Sequence, residues 1–183
     1  HIADYYITPI LPIRDFLSKF NMDENINVHH EYLILDPCAW WDENNIMSYP
    51  QALHDIWFDN IITNDIREDS PAQYHNDFIT ETHINKYDII ITNPPFNIAK
   101  DIIEKSLSLC KEWWYVIMLL RLNYIGSQAR QEFRANNPPY AIYAHNKRMS
   151  FTKDNKTDSI EYAHFVWKKW YKPDSAKFYI LKS

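Results

Sequence analysis

The chain has 183 residues, a length that predicts one domain, and its 46% apolar and 23% charged content is that of a soluble globular protein. No apolar run reaches the roughly 20 residues that a bilayer span needs. The start, His1-Ile2-Ala3-Asp4, lacks the basic-then-apolar pattern of a signal peptide, so the expectation is a cytoplasmic protein without membrane association. The net charge of −5 argues against nonspecific coating of nucleic acid, but it leaves room for a local basic face. Arg121, Arg130, Arg134, Lys147, Arg148 and Lys153 fall in one stretch, which on charge alone reads as a solvated surface.

Two cysteines, Cys38 and Cys110, have no metal-ligand spacing and are too few for a disulfide framework, so both read as free thiols and no metal site is expected. Glycine occurs once, at Gly126, where average usage would give roughly a dozen.

Strand and helix patterns alternate along the chain, which predicts an α/β fold with a mostly parallel sheet. Thr8-Pro9 reads as a helix start, and Ile10, Ile13, Leu17 and Phe20 recur at helical spacing. Tyr32 to Asp36 is a short apolar strand ending in an acid. A helix is predicted over 50–56, a strand over Ile61-Ile62-Thr63, and a short third element at Asp77-Phe78-Ile79. The β-branched run Tyr87 to Thr92 suits a central strand buried on both faces. After Asn93-Pro94-Pro95-Phe96 comes an amphipathic helix with Ile98, Ile102, Ile103, Leu107 and Cys110 on one face. Tyr115 to Leu120 is a further buried strand, 127–136 a polar helix, and 140–144 and 160–167 late strands with an antiparallel member. Asp36, Asp65, Asn93 and Arg121 all fall at strand ends, where open sheets of this kind bind ligands.

Asn93 to Phe96 carries the most specific chemistry. An aromatic amino group is a poor nucleophile because its lone pair is delocalised into the ring. Two acceptors gripping its N–H groups would restore the lone pair. The Asn93 side-chain oxygen and a proline carbonyl can act as these, the prolines stiffening the turn. Phe96 can stack on a base swung out of a duplex.

This tetrapeptide resembles the catalytic motif of DNA adenine-N6 methyltransferases, and the wider match is to their small phage- and prophage-type members, some of which serve restriction-modification. The resemblance implies a Rossmann-like class I methyltransferase fold with an antiparallel C-terminal strand. It also implies S-adenosyl-L-methionine as cofactor, DNA as partner and catalytic roles for Asn93, Pro94, Pro95 and Phe96. By the same resemblance Tyr6, Thr8, Asp36, Cys38 and Ala39 contact the cofactor, Asp65 its ribose, and Asp77 and Phe78 its adenine. Arg121, Asn123, Arg148, Ser150 and Phe151 lie in segments that resemble the family's DNA-contacting ones. The match runs along nearly all of residues 1–183, as a single domain without a separate target-recognition domain.

The chain departs from the family at glycines. Trp40 and Trp41 follow the cofactor motif where glycine is usual, Trp113-Trp114 replaces paired glycines before a strand, and Trp170 and Asn155 fill two more such places. Trp40-Trp41 beside Asp36 predicts weakened cofactor binding. Alternative readings are an RNA or protein-glutamine N-methyltransferase, and a catalytically impaired methyltransferase fold.

Overall fold

The structure is a computed structural model that describes residues 7–26, 31–82, 85–151 and 160–182. Seven strands form one sheet: β1 (Ile34–Asp36), β2 (Ile61–Thr63), β3 (Tyr87–Thr92), β4 (Cys110–Arg121), β5 (Ala141–His145), β6 (Tyr162–Lys168) and β7 (Lys177–Leu181). Their spatial order is β2-β1-β3-β4-β6-β5-β7. β6 pairs antiparallel with both β4 and β5, and the remaining pairings are parallel. The expected mostly parallel sheet with an antiparallel C-terminal strand is therefore present.

Helices α1 (Ile10–Glu24) and α2 (Ser48–His54) pack on one face, and α3 (Ala99–Leu109) and α4 (Gln131–Asn136) on the other. The alternation of side chains along a strand builds both cores at once. Ile89 and Ile91 of β3, with Tyr115, Ile117 and Leu119 of β4, meet Phe16, Leu17 and Phe20. Ile90, with Val116, Met118 and Leu120, meets Ile102 and Ile103. Each such fully buried side chain contributes about 1.5–3 kcal/mol. Burial on both faces is why β3 and β4 read as continuous apolar runs. Among the described residues no helix is long and apolar enough to cross a membrane.

Four local expectations are corrected. Thr8 does not cap α1: Pro9 takes the N-cap position, and the Thr8 side chain is used elsewhere. Residues 78–80 form a turn, because Asp77 Oδ1 accepts the Ile79 N–H at 3.0 Å and the chain closes on itself there. The polar helix over 127–136 is broken into a 3₁₀ turn, Gln128–Arg130, and α4. β7 escaped the pattern because it is a sheet-edge strand with Phe178 and Ile180 exposed, so its alternation does not separate an apolar face from a polar one.

The tryptophans at expected glycine sites divide into two groups. Trp113 and Trp170 have φ of 67°, and Trp57, which the pattern did not single out, has φ of 72°. These are left-handed conformations in which a Cβ crowds the following carbonyl, at a cost of about 1–2 kcal/mol. Trp40, Trp41 and Trp114 are not in that region. Asn155 lies outside the described residues. The chain's single glycine, Gly126, has no positive φ, and a Cβ built there meets nothing within 4 Å. Trp57, Trp113 and Trp170 are 74%, 56% and 62% exposed, so little packing compensates for the strain. Trp57→Gly, Trp113→Gly and Trp170→Gly should each raise the free energy of unfolding by about 0.5–1 kcal/mol, after glycine's extra unfolded-state entropy is deducted. Alanine at the same positions keeps the Cβ and should give no such gain. Urea melts of the six variants check both statements.

Candidate functional site

β1, β2 and β3 end together at one edge of the sheet, and Asn64 ties the loops after β1 and β2. Its N–H donates to the Asp36 carbonyl at 2.9 Å and its carbonyl accepts the Ala39 N–H at 2.9 Å. Its side-chain Nδ2 donates to the carbonyls of Pro37 and Asn76 at 3.1 and 3.0 Å, and its Oδ1 accepts the Asn76 N–H at 3.0 Å. A buried side chain with all these partners holds those two loops in fixed register. Asn64 was visible in the sequence only as a strand-end residue, and nothing there marked it as the hub.

The edge carries a cavity of about 330 Å³ lined by Cys38, Trp40, Asp65, Arg67, Asp77, Phe78, Pro95 and Ile98, among others. The size is at the lower end of ligand sites. Asp65 and Asp77 meet here as the sequence suggested. Phe78 is buried into the core beneath the cavity. Ala39 is fully buried and is not among the lining residues. Tyr6 lies outside the described residues.

Asp36 sits under the loop at 1% exposure, with the Cys38 N–H 3.3 Å from its Oδ1. Burial pushes its carboxyl up to about 7; bonds from Thr92 and the Cys38 amide pull it back, and the Asp65 charge adds a smaller upward push. Burial likewise pushes the Cys38 thiol well up, with Asp36 adding to it.

Asp65 is not open to the cavity on both oxygens. Arg67 forks onto it, Nε to Oδ1 at 2.9 Å and Nη2 to Oδ2 at 3.2 Å, while the Arg67 backbone N–H also reaches Oδ1 at 2.9 Å. The Arg67 guanidinium lies 3.9 Å from the Trp41 ring centre and 5.0 Å from that of Trp40.

Asn93 closes the edge at the end of β3 and is 3% exposed. Its Nδ2 donates to Thr8 Oγ1 at 3.0 Å, and its backbone carbonyl accepts the Trp40 indole N–H at 2.6 Å. Its Oδ1 is buried and has no hydrogen-bond partner among the described residues. The Pro95 carbonyl accepts the Ile98 N–H at 3.2 Å, which opens a 3₁₀ turn (Phe96–Ile98), and the Phe96 ring is half-buried against both cores.

A second cavity of about 340 Å³ lies beyond Phe96, lined also by Asn97, Arg121, Asn123, Tyr124 and Arg130. Arg121 stacks on Phe96 at 4.9 Å, and its buried Nε has no partner among the described residues. Phe96 also meets Tyr162 at 6.0 Å, and Tyr162 meets Phe151 at 4.8 Å, but those two rings pack in the α1/α2 core and do not line the cavity. Arg148 is apart from the cavity, in an exposed pair with Glu161 at 3.4 Å, and Ser150 is half-buried in the neighbouring loop. Arg134 is turned inward, donating to the Ser127 carbonyl at 2.7 Å. Lys153 lies outside the described residues. Among the described residues no group of three His, Cys, Asp or Glu is placed to hold a metal ion.

No protein-family model matches the sequence, and no curated protein matches it. Solved structures do match in shape. A protein from Listeria monocytogenes described provisionally as a class I S-adenosylmethionine-dependent methyltransferase has a TM-score of 0.66 at 14% identity, over 99% of this chain and 67% of its own. A provisional RNA methyltransferase from Pyrococcus horikoshii has a TM-score of 0.67 at 11% identity, over 90% and 87%. The type IIG restriction endonuclease BpuSI has a TM-score of 0.67 at 13% identity, over 96% of this chain and 27% of its own length.

Asp36 sets a measurable pH dependence. An unfolded aspartate ionises near 3.8, whereas the folded one keeps its proton up to about 7, so its contribution to stability is full below pH 4 and is lost as pH rises to about 7. Asp36→Asn should remove that loss, which amounts to about 4 kcal/mol at roughly 1.4 kcal/mol per pH unit. His145, held down to about 4 by burial, gives the opposite slope in both proteins and cancels in the difference. Urea melts at pH 4.5 and 8 should show the variant gaining on the parent at the higher pH; equal differences at both would refute the assignment. The sheet order, the parallel β1–β4 and the antiparallel β6 together make this chain a Rossmann-like class I methyltransferase fold.

Proposed function

We propose that the chain transfers a methyl group from S-adenosylmethionine to the N6 amino group of adenine in DNA. The observation that carries the reading is Asn93 Oδ1, a buried acceptor left without a partner while the other end of the same amide is fixed on Thr8. Buried polar atoms are nearly always paired, so an orphan held in place by its own side chain marks a position kept for a ligand donor.

The cavity that reaches Pro95 fits the cofactor's chemistry in part. Asp65 lines it with a single acceptor position left by Arg67 for a ribose hydroxyl, Asp77 lines it as an acceptor for an adenine amino group, and Phe78 and Ile98 supply apolar walls. Bound there, S-adenosylmethionine supplies an electrophilic sulfonium methyl. In the proposed reaction Asn93 Oδ1 accepts one N6–H of the adenine. The Pro94 carbonyl accepts the other, since the Asn93 and Pro95 carbonyls are already taken by Trp40 and Ile98. With both N–H groups held, the N6 lone pair would be free to form the new N–C bond as the methyl's bond to sulfur breaks and S-adenosylhomocysteine departs as the neutral thioether, and one N6 proton would leave to solvent. The rest of the catalysis is positioning. Phe96 stacks on the flipped base, backed by the Arg121 guanidinium. Arg121 and Arg130 put positive charge at the mouth where the nucleic-acid backbone would run, despite the overall −5.

RNA and protein-glutamine substrates share the nitrogen chemistry and are separated by experiment. Incubation with unmethylated DNA, RNA or a glutamine peptide and tritium-labelled cofactor, followed by digestion, should yield N6-methyladenine from DNA. Asn93→Ala should lower that yield by about a thousandfold, as expected for loss of a preorganised transition-state contact. Undiminished N6-methyladenine in the variant would sink the catalytic assignment, and label found only in RNA or peptide would sink the substrate.

A further inference from the structure

We infer that Arg67 is an affinity- and specificity-determining residue of the cofactor cavity, one that masks Asp65 from the ribose diol; this rests on the adenosyl-pocket reading above. A carboxylate offers about four lone-pair positions. Three of those on Asp65 are used by one residue: Oδ1 takes both the backbone N–H and Nε of Arg67, and Oδ2 takes Nη2. A vicinal diol needs two free positions, one for each hydroxyl, and only one is left.

The mask is held from its other side. The planar guanidinium lies over Trp41 at 3.9 Å and near Trp40 at 5.0 Å, so its fork and its stack are satisfied at once. Asp65 is 4% exposed, which keeps water from competing with the fork. Trp40, Asp65 and Arg67 all line the cavity, so a ligand that reaches Asp65 has to lift Arg67 from the carboxylate. The weak point of the pocket is therefore not the bulk of Trp40. Its ring lies at the wall, tied to the Asn93 carbonyl, and the cavity remains. What Trp40 and Trp41 do is give Arg67 a platform from which to cover the acid.

Calorimetric titration with S-adenosylhomocysteine, and with adenosine against 2′,3′-dideoxyadenosine, tests this on the full chain. Arg67→Gln should bind S-adenosylhomocysteine about tenfold more tightly than the parent, the equivalent of about one charge-assisted hydrogen bond freed. It should also prefer adenosine over the dideoxy ligand by about tenfold more than the parent does. In the Asp65→Asn/Arg67→Gln double variant that gain should vanish. If Arg67→Gln does not fold, Arg67→Lys gives up the planar fork and carries the same test with the same sign. Equal or weaker binding by the variant overturns the inference and leaves the methyltransferase reading standing. A gain that survives in the double variant overturns it as well. No heat with S-adenosylhomocysteine from either protein overturns both together.

Discussion

Asn64 is the constraint on which the site's geometry depends. Each of its hydrogen-bonding groups is committed, the backbone to the β1 loop and the side chain to that loop and to Asn76. It joins the ends of β1 and β2 into one rim, to which the Trp40 indole ties the end of β3. Asp65, one residue on, and Asp77, one residue past the far anchor, are placed around a common cavity for that reason. The sheet supplies the rest. β3, buried along its whole length, delivers Asn93 to the same rim with its backbone direction already fixed.

At that rim, hydrogen-bonding capacity is divided unevenly. Asn93 has its amide nitrogen and its backbone carbonyl engaged and its side-chain oxygen left over. Asp65 has the reverse problem, being nearly saturated by one neighbour. Asp36 is held close enough to both loops to matter and deep enough to keep a proton near neutral pH. An unpaired buried acceptor costs about 1–3 kcal/mol. Five buried side-chain atoms among the described residues lack a partner, Asn93 Oδ1 and Arg121 Nε among them.

The tryptophans fall into two backbone classes. At Trp57, Trp113 and Trp170 a bulky residue holds a left-handed conformation that favours glycine, and the side chain is largely exposed. At Trp40 and Trp41 no left-handed conformation is needed, and the rings join the site, one bonding Asn93 and both flanking Arg67. The same residue type is thus a local strain in one place and a set of site contacts in another.

The sequence by itself determined the order of strands and helices, the central position of Tyr87 to Thr92 and the strand-end location of Asp36, Asp65 and Asn93. Those features are written in hydrophobic period and in turn residues, which act over a few neighbours. The tight coil around Asp77, the short α4 and the edge strand Lys177–Leu181 were not legible, since capping by one side chain and half-exposed pairing leave no periodic trace. Only the tertiary structure decided that Thr8 serves Asn93 instead of capping its own helix, that Asn64 is the hub, and that Arg67 covers Asp65. The Thr8–Asn93 bond spans 85 residues and the Trp40–Asn93 bond spans 53. A polar side chain short of a partner takes whichever donor or acceptor the packed sheet brings near, and a local pattern cannot say which that will be.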